Sequence, residues 1–106
     1  MSVLSLIGLA CRAGKLAIGD QAVKKALRLS QVFLVVLAKD SSQRTRRSFI
    51  NYSDTAGVPV VEISTKTLLG QRLGRNEVAV TAITDLSLAK AVISKLKSVE
   101  SKKLRG

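Results

Sequence analysis

The residues with the clearest potential for chemistry lie at the start of a predicted helix, between Gly19 and Arg28. The first amide N–H groups of a helix have no partner within it, and together with the helix dipole they form a site for anions. Polar side chains follow at the spacing of one helix face: Gln21, Lys24, Lys25 and Arg28. Lys and Arg bind phosphates, and Gln can read the edges of nucleobases. The pattern predicts a surface that binds nucleic acid, although an ordinary helix with a solvated polar face would show it equally.

Two other groups of basic residues could contact phosphates. Arg44, Arg46 and Arg47 fall near the start of another predicted helix, where the helix dipole disfavours cations. Exposed arginines cost little, however, and a shift of the helix boundary by a few residues would place them outside its first turn. Lys66, Arg72 and Arg75 surround a short helix and the loop after it, a position open to nucleic acid, although the pattern slightly favours a plain connection.

Composition excludes several classes of protein. The chain has 106 residues and a net charge of +11, yet 46% of its residues are hydrophobic, which is too apolar for a disordered basic tail. No apolar run approaches the ~20 residues of a membrane span. With no His and a single Cys, the chain cannot form an internal disulfide, a His/Cys zinc site or an imidazole base. It also lacks a glycine-rich phosphate or dinucleotide fingerprint. We therefore expect neither an enzyme nor a bound cofactor or metal.

The positive charge is concentrated in three segments. Residues 12–28 carry five basic residues and one acidic residue, residues 39–47 carry four and one, and residues 90–106 carry six and one. The last segment could add nonspecific attraction to phosphate. Aromatic residues make up only 3% of the chain, so a platform for stacking unpaired bases is poorly supplied.

The elements that must position these residues alternate between helices and strands. Apolar residues at helical spacing predict helices, and continuous β-branched runs predict buried strands. In chain order these are a helix over 3–13, a strand over 15–18, a helix over 21–30, a strand over 32–38, a helix over 43–56, a strand over 58–63, a short helix over 66–73, a strand over 78–84 and a helix after residue 85. Asp20 is predicted as the N-cap of the second helix, and Phe49, Ile50, Ser53 and Ala56 as the inward side of the third.

This alternation predicts an α/β domain with a sheet between two layers of helices. The continuous apolar run over residues 32–38 predicts a central strand buried on both faces. We expect one domain over residues 1–97, followed by a loose basic tail over residues 98–106.

Several stretches of the chain, in their order and spacing, resemble the L7Ae family of ribosomal proteins that bind kink-turn RNA. The matching stretches are residues 6–10 with Arg12, residues 19–25, residues 35–40, residues 57–60, and the pairs 69–70 and 73–74. The likeness covers about residues 3–95 and is greatest to small bacterial ribosomal-protein-like members. It implies a three-layer α/β/α sandwich on a small mixed sheet of about four strands.

The family's signature at the helix start is Gly-x-Asn-Glu-x-x-Lys. Gly19 and Lys25 match it, whereas Gln21 stands at the Asn position and Ala22 at the Glu position. Gln21 keeps the amide on a longer arm, and Ala22 lacks the carboxylate that accepts a hydrogen bond from guanine. The family's second contact loop corresponds to residues 74–78, which carry polar side chains where many members carry apolar ones.

The resemblance implies binding of a kink-turn, a sharp RNA bend built on sheared G·A pairs, without catalysis. Such a bend opens base edges that A-form duplex RNA hides. We expect a cytoplasmic monomer that binds structured, ribosomal RNA and no membrane. The competing hypothesis is a module that binds the ribosome or translation factors through its basic surfaces. The residues predicted to contact RNA are Gly19, Asp20, Gln21, Lys24, Lys25, Arg28, Lys39, Arg44, Arg47, Lys66, Arg75 and Asn76.

Overall fold

Over its described residues the chain forms alternating helices and strands in the order that its sequence predicts. The structure, a computed structural model, describes the backbone of residues 2–105 and the side chains of residues 2–97. The helices are α1 Val3–Arg12, α2 Asp20–Arg28, α3 Gln43–Ala56, α4 Lys66–Arg72 and α5 Leu86–Arg105. The strands are β1 Leu16–Ile18, β2 Leu34–Leu37, β3 Val60–Glu62 and β4 Val80–Ile83.

The strands form one mixed sheet in the order β1–β4–β2–β3. β4 runs antiparallel to both of its neighbours, with Ala82 opposite Ala17 of β1 and Val35 of β2. β3 runs parallel to β2, with Val60 opposite Val35. Because β1, β2 and β3 all point the same way, the segments that follow them emerge at one end of the sheet.

Side chains alternate across the sheet and build a core on each of its faces. On one face, Leu34 and Val36 of β2 belong to the core formed with α1, α4 and α5. On the other face, Val35 and Leu37 belong to the core formed with α2 and α3. All four side chains are fully buried, which confirms a central strand covered on both sides. The predicted three-layer α/β/α sandwich on a four-stranded mixed sheet is therefore confirmed.

The strands are shorter than their apolar runs. Residues 32 and 33 precede β2, and the Phe33 ring is 41% exposed even though its N–H donates to the Ile83 carbonyl oxygen at 2.9 Å. Hydrogen bonds of the sheet continue past the assigned ends, as in the bond from Ile63 N–H to the Leu37 carbonyl oxygen. The apolar run over residues 32–38 thus extends beyond the regular ladder of β2, with Val32 and Ala38 buried at its ends and Phe33 exposed.

Asp20 is not the N-cap of α2, contrary to the prediction. Gly19 occupies that position with φ 92° and ψ 167°, a conformation in which a residue with a side chain is strained. The turn out of β1 requires this conformation, so glycine takes the cap. Asp20 becomes the first helical residue, where its charge favours the positive helix end, and its carboxylate lies 3.0 Å from the Lys24 ammonium.

Helix α3 differs from expectation in part, and α5 continues into the segment predicted as a tail. In α3, Phe49 and Ser53 are buried, and Ile50 is exposed because it lies between the positions, three to four apart, that face the sheet. Ala56 has the spacing of the buried positions but is the last residue of the helix, and it is exposed there. The helical backbone of α5 continues to Arg105 and includes the segment from residue 98, whose looseness stays a prediction. The side chains of that segment lie outside the described residues.

Candidate nucleic-acid interface

The start of α2 differs from the other helix starts in the described part of the chain, because no side chain caps it. Ser2, Ser42 and Thr65 each accept a hydrogen bond from the first turn of α1, α3 and α4. Asp85 does the same for α5. Gly19 has no side chain that could do so for α2. The amides of its first turn therefore stay available to an anion, which the helix dipole attracts.

Gly19 also fixes where α2 begins. Its N–H donates to the Val80 carbonyl oxygen of β4 at 3.0 Å, and its carbonyl oxygen accepts from Val23 N–H at 3.0 Å. These two bonds join the helix start to the first residue of β4. The residues that precede β4 consequently lie beside the open end of α2.

The polar face of α2 is exposed, as its spacing predicts. Gln21, Lys25 and Arg28 lie at the surface, and so does Ala22, which brings no carboxylate to this face. Lys24 is half-buried: its ammonium pairs with Asp20 and lies 5.6 Å from the centre of an aromatic ring in α3. Lys25 and Arg28 form no ion pair within the described residues, so their charge is free to meet a polyanion.

The three arginines at the start of α3 have different surroundings. Arg46 pairs with Glu62 of β3 and donates to the Lys39 carbonyl oxygen at 2.9 Å. It therefore ties α3 to the sheet. Arg44 and Arg47 are exposed and remain candidates for phosphate contacts.

The loop over residues 74–78 is seated on α4. Arg75 N–H donates to the Gly70 carbonyl oxygen at 2.7 Å, and a Cβ atom on Gly70 would lie 2.5 Å from the Asn76 carbonyl oxygen. Only glycine lets the backbones approach so closely. Within the loop, the side chain of Val78 is buried, whereas the side chains of Arg75 and Asn76 are exposed.

The loop after β2 is joined to the start of α4. Lys39 N–H donates to the Ser64 carbonyl oxygen at 2.7 Å, and the Asp40 carboxylate accepts from Lys66 N–H at 2.8 Å. Asp40 thus caps a helix 26 residues further along the chain. The Lys66 ammonium lies 3.7 Å from the Glu77 carboxylate, and Lys39 is exposed. Both lysines are held at the end of the sheet where α2, α3 and α4 begin.

A cleft of about 140 Å³ lies where these segments meet. It is bordered by Gly19 and Asp20 of the α2 start, Thr45 of α3, and Arg75 and Glu77 of the loop. The open helix end and the arginine of the loop therefore share one concave surface with the carboxylates of Asp20 and Glu77, so the cleft combines an anion-binding helix end with acceptors that suit a base edge.

Not every predicted site residue borders this cleft. Lys24 and Arg28 line a second, larger cavity between α2 and α3, and Lys25 lies further along the exposed face. Sequence reasoning missed Thr45 and Glu77. Thr45 gives no signal because it lies among arginines, and Glu77 is recognisable only once its loop is placed over Lys66.

The described residues carry neither a metal site nor a membrane span. No three His, Cys, Asp or Glu side chains cluster there as the ligands of a metal ion would. No helix in this part of the chain combines the length and apolar character that crossing a bilayer requires.

The chain is similar to two proteins called RNA-binding protein YlxQ. The one from Bacillus subtilis (strain 168) is 32% identical over 96 residues, covering 91% of this chain and 96% of that protein. The one from Enterococcus faecium is 32% identical over 87 residues, covering 82% of this chain and 84% of that protein.

Two solved structures share the fold. A protein of unknown function from Bacillus halodurans superposes with a TM-score of 0.85 at 29% identity, covering 91% of this chain and 97% of that one. A 15.5 kD RNA-binding protein from Giardia lamblia superposes with a TM-score of 0.76 at 20% identity, covering 90% and 84%. The model of the ribosomal protein L7Ae/L30e/S12e/Gadd45 family matches residues 1–93, and the chain therefore belongs to that family.

Proposed function

We propose that this protein binds structured, kink-turn-like RNA, and that its target is ribosomal RNA. One observation carries the proposal: the uncapped start of α2 and Arg75 of the 74–78 loop border the same cleft. The name of two similar proteins, RNA-binding protein YlxQ, supports RNA binding as the general part of this proposal. No metal cluster or imidazole is needed for such a role, which is binding without chemistry.

In this proposal some residues of the surface contact base edges of the RNA and others contact its phosphate backbone. The amide of Gln21 has one donor group and one acceptor, so it can read a base edge beside the cleft. Asp20 and the residue after it present first-turn amides to a phosphate, and Gly19, whose own N–H is bonded to Val80, leaves those amides uncapped. Arg75 and Asn76 contact the bulged strand from the opposite side.

The remaining cations hold the flanking backbone. Lys24, Lys25 and Arg28 follow one strand along α2, while Arg44, Arg47, Lys39 and Lys66 meet phosphates nearer the other helix starts. Contacts to phosphate fix position and orientation without reading sequence. The protein therefore recognises the shape of the bend, with Gln21 supplying the base contact.

A kink-turn fits this surface better than a plain duplex. The deep, narrow major groove of A-form RNA keeps its base edges away from side chains, and a sharp bend with an internal loop exposes them. At the family's Glu position, Ala22 offers no carboxylate to a guanine. We propose that Gln21, whose arm is longer than that of Asn, makes the base contact in its place.

The proposal places a monomer in the cytoplasm, in association with the ribosome or its assembly. Crosslinking in cells followed by sequencing of the bound RNA tests it. We expect ribosomal RNA segments with a kink-turn-like bend to be enriched over the total RNA. Recovery of no specific RNA, together with protein partners that survive RNase treatment, would favour the competing role as a protein-interaction module.

A further inference from the structure

A cavity of about 570 Å³ lies between α2 and α3, away from the cleft at the helix starts. Its volume falls within the ~300–1,000 Å³ of small-ligand sites. Its floor is apolar, formed by Leu27, Val32 and Val58, and Lys24 and Arg28 stand at its sides. The residues that line it, all in the described part of the chain, include no acid.

Tyr52 forms one wall of this cavity and is 47% exposed. The ring is held from below by Phe49, which is fully buried and meets it edge to face at 5.9 Å and 62°. The Lys24 ammonium lies 5.6 Å from the ring centre. An aromatic ring fixed in place and partly open to solvent stacks a planar group at little cost in conformational entropy.

From an aromatic wall, an apolar floor and two flanking cations we infer that this cavity receives one unpaired nucleotide of the bound RNA. The base stacks on Tyr52 over the apolar floor, and its phosphates meet Lys24 and Arg28. The inference rests on the proposed function, because the nucleotide belongs to the same RNA. Lys24 connects this cavity to the cleft at the helix starts, since its ammonium also pairs with Asp20 at the start of α2. With so few aromatic residues the chain offers a site for one base rather than a stacking platform.

The test compares four RNAs: a kink-turn and a plain duplex of equal length, each with and without three unpaired nucleotides added to its strand ends. We expect the unpaired nucleotides to tighten binding about fivefold or more, the effect of stacking one base. The gain should vanish when the added nucleotides are abasic. It should also vanish in Tyr52→Leu and persist in Tyr52→Phe.

A matched control lies on the same helix. Ile50 is 46% exposed, nearly as exposed as Tyr52, but does not line the cavity. Ile50→Ala should keep the full gain. The protein has one Tyr and no Trp, so quenching of its intrinsic fluorescence reports occupancy of this cavity directly. Thermal unfolding of each variant establishes that it is folded.

The outcomes separate the two claims. Preference for the kink-turn with no gain from unpaired nucleotides would overturn the inference and leave the proposed function standing. A Tyr52-dependent gain on both scaffolds without preference for the kink-turn would contradict the proposed function alone. Quenching by micromolar adenosine monophosphate would also overturn the inference, because it would identify a site for free nucleotides. Failure to bind any of the four RNAs would overturn both.

Discussion

The amide N–H of Arg75 donates a 2.7 Å hydrogen bond to the carbonyl oxygen of Gly70. A Cβ atom on Gly70 would lie 2.8 Å from the Arg75 carbonyl oxygen, closer than packed atoms allow. The close approach of the 74–78 loop to α4 therefore requires glycine at position 70. Because this loop borders the cleft opposite the α2 start, a substitution in α4 that moves the loop should weaken RNA binding at the interface.

Gly70→Ala should displace the loop. The added methyl group would meet backbone atoms that have no free rotation, so we expect a loss of about 1–3 kcal/mol in the free energy of unfolding and weaker binding of a kink-turn RNA. Urea unfolding and RNA titration measure the two effects. Gly8→Ala is the control, since its new Cβ would lie 3.1 Å from the flexible side chain of Arg72. Equal losses in the two variants would contradict the special role of Gly70.

Gly19→Ala should strain the turn that leads into α2. At φ 92° and ψ 167° a side chain costs about 1–3 kcal/mol of unfolding free energy, and relief of that strain would move the first-turn amides. We expect reduced stability together with reduced RNA affinity. Gly57→Ala, also at positive φ but at the end of α3, should reduce stability without affecting RNA binding. A Gly19 variant that binds RNA normally would show that the geometry of this turn is not needed.

Arg44→Ala and Arg46→Ala should separate binding from stability. Arg46 pairs with Glu62 and bonds the Lys39 carbonyl oxygen, so its loss should lower the free energy of unfolding by about 1 kcal/mol. Arg44 is exposed, and its loss should weaken RNA binding with little change in unfolding. Urea denaturation and RNA titration of both variants provide the measurement. A loss of stability in Arg44→Ala and a loss of RNA affinity without a loss of stability in Arg46→Ala would contradict these two assignments.

Lys25→Ala should weaken RNA binding and lower the salt dependence by about one phosphate contact in a plot of log affinity against log salt. Lys90→Ala, a substitution on the exposed face of α5 in the opposite helical layer, should change neither quantity. Titrations at several salt concentrations provide both slopes. If Lys90→Ala is the more costly change, the exposed face of α2 is not part of the interface.

The element order could be predicted because hydrophobic periodicity is a local property of the chain. Val35 and Val36 are examples: their apolar run indicated burial on both faces, and the structure confirms it. The predicted N-cap of α2 was wrong. Asp has a stronger local preference for the N-cap position than Gly, but the turn before α2 requires the positive φ of Gly19. The backbone conformation of the turn, which the sequence does not show, therefore decided which residue caps the helix.

The candidate site was less accessible from sequence. Gln21 and Lys25 could be named from their helical spacing and from the family signature. The different roles of Arg44 and Arg46 could not be predicted from the sequence, because the ion pair of Arg46 depends on Glu62 of β3 lying beside α3. Nor could the constraint on Gly70, which exists only because a later loop returns to contact α4.

The most direct test of the central claim is a titration of the protein with a kink-turn RNA and with a plain duplex of equal length and charge, each at two salt concentrations. We expect the kink-turn to bind about tenfold or more tightly, with a preference that persists at the higher salt because base and shape contacts do not depend on counterion release. Equal affinities with identical salt slopes would contradict recognition of structured RNA and leave only attraction between a basic protein and a polyanion.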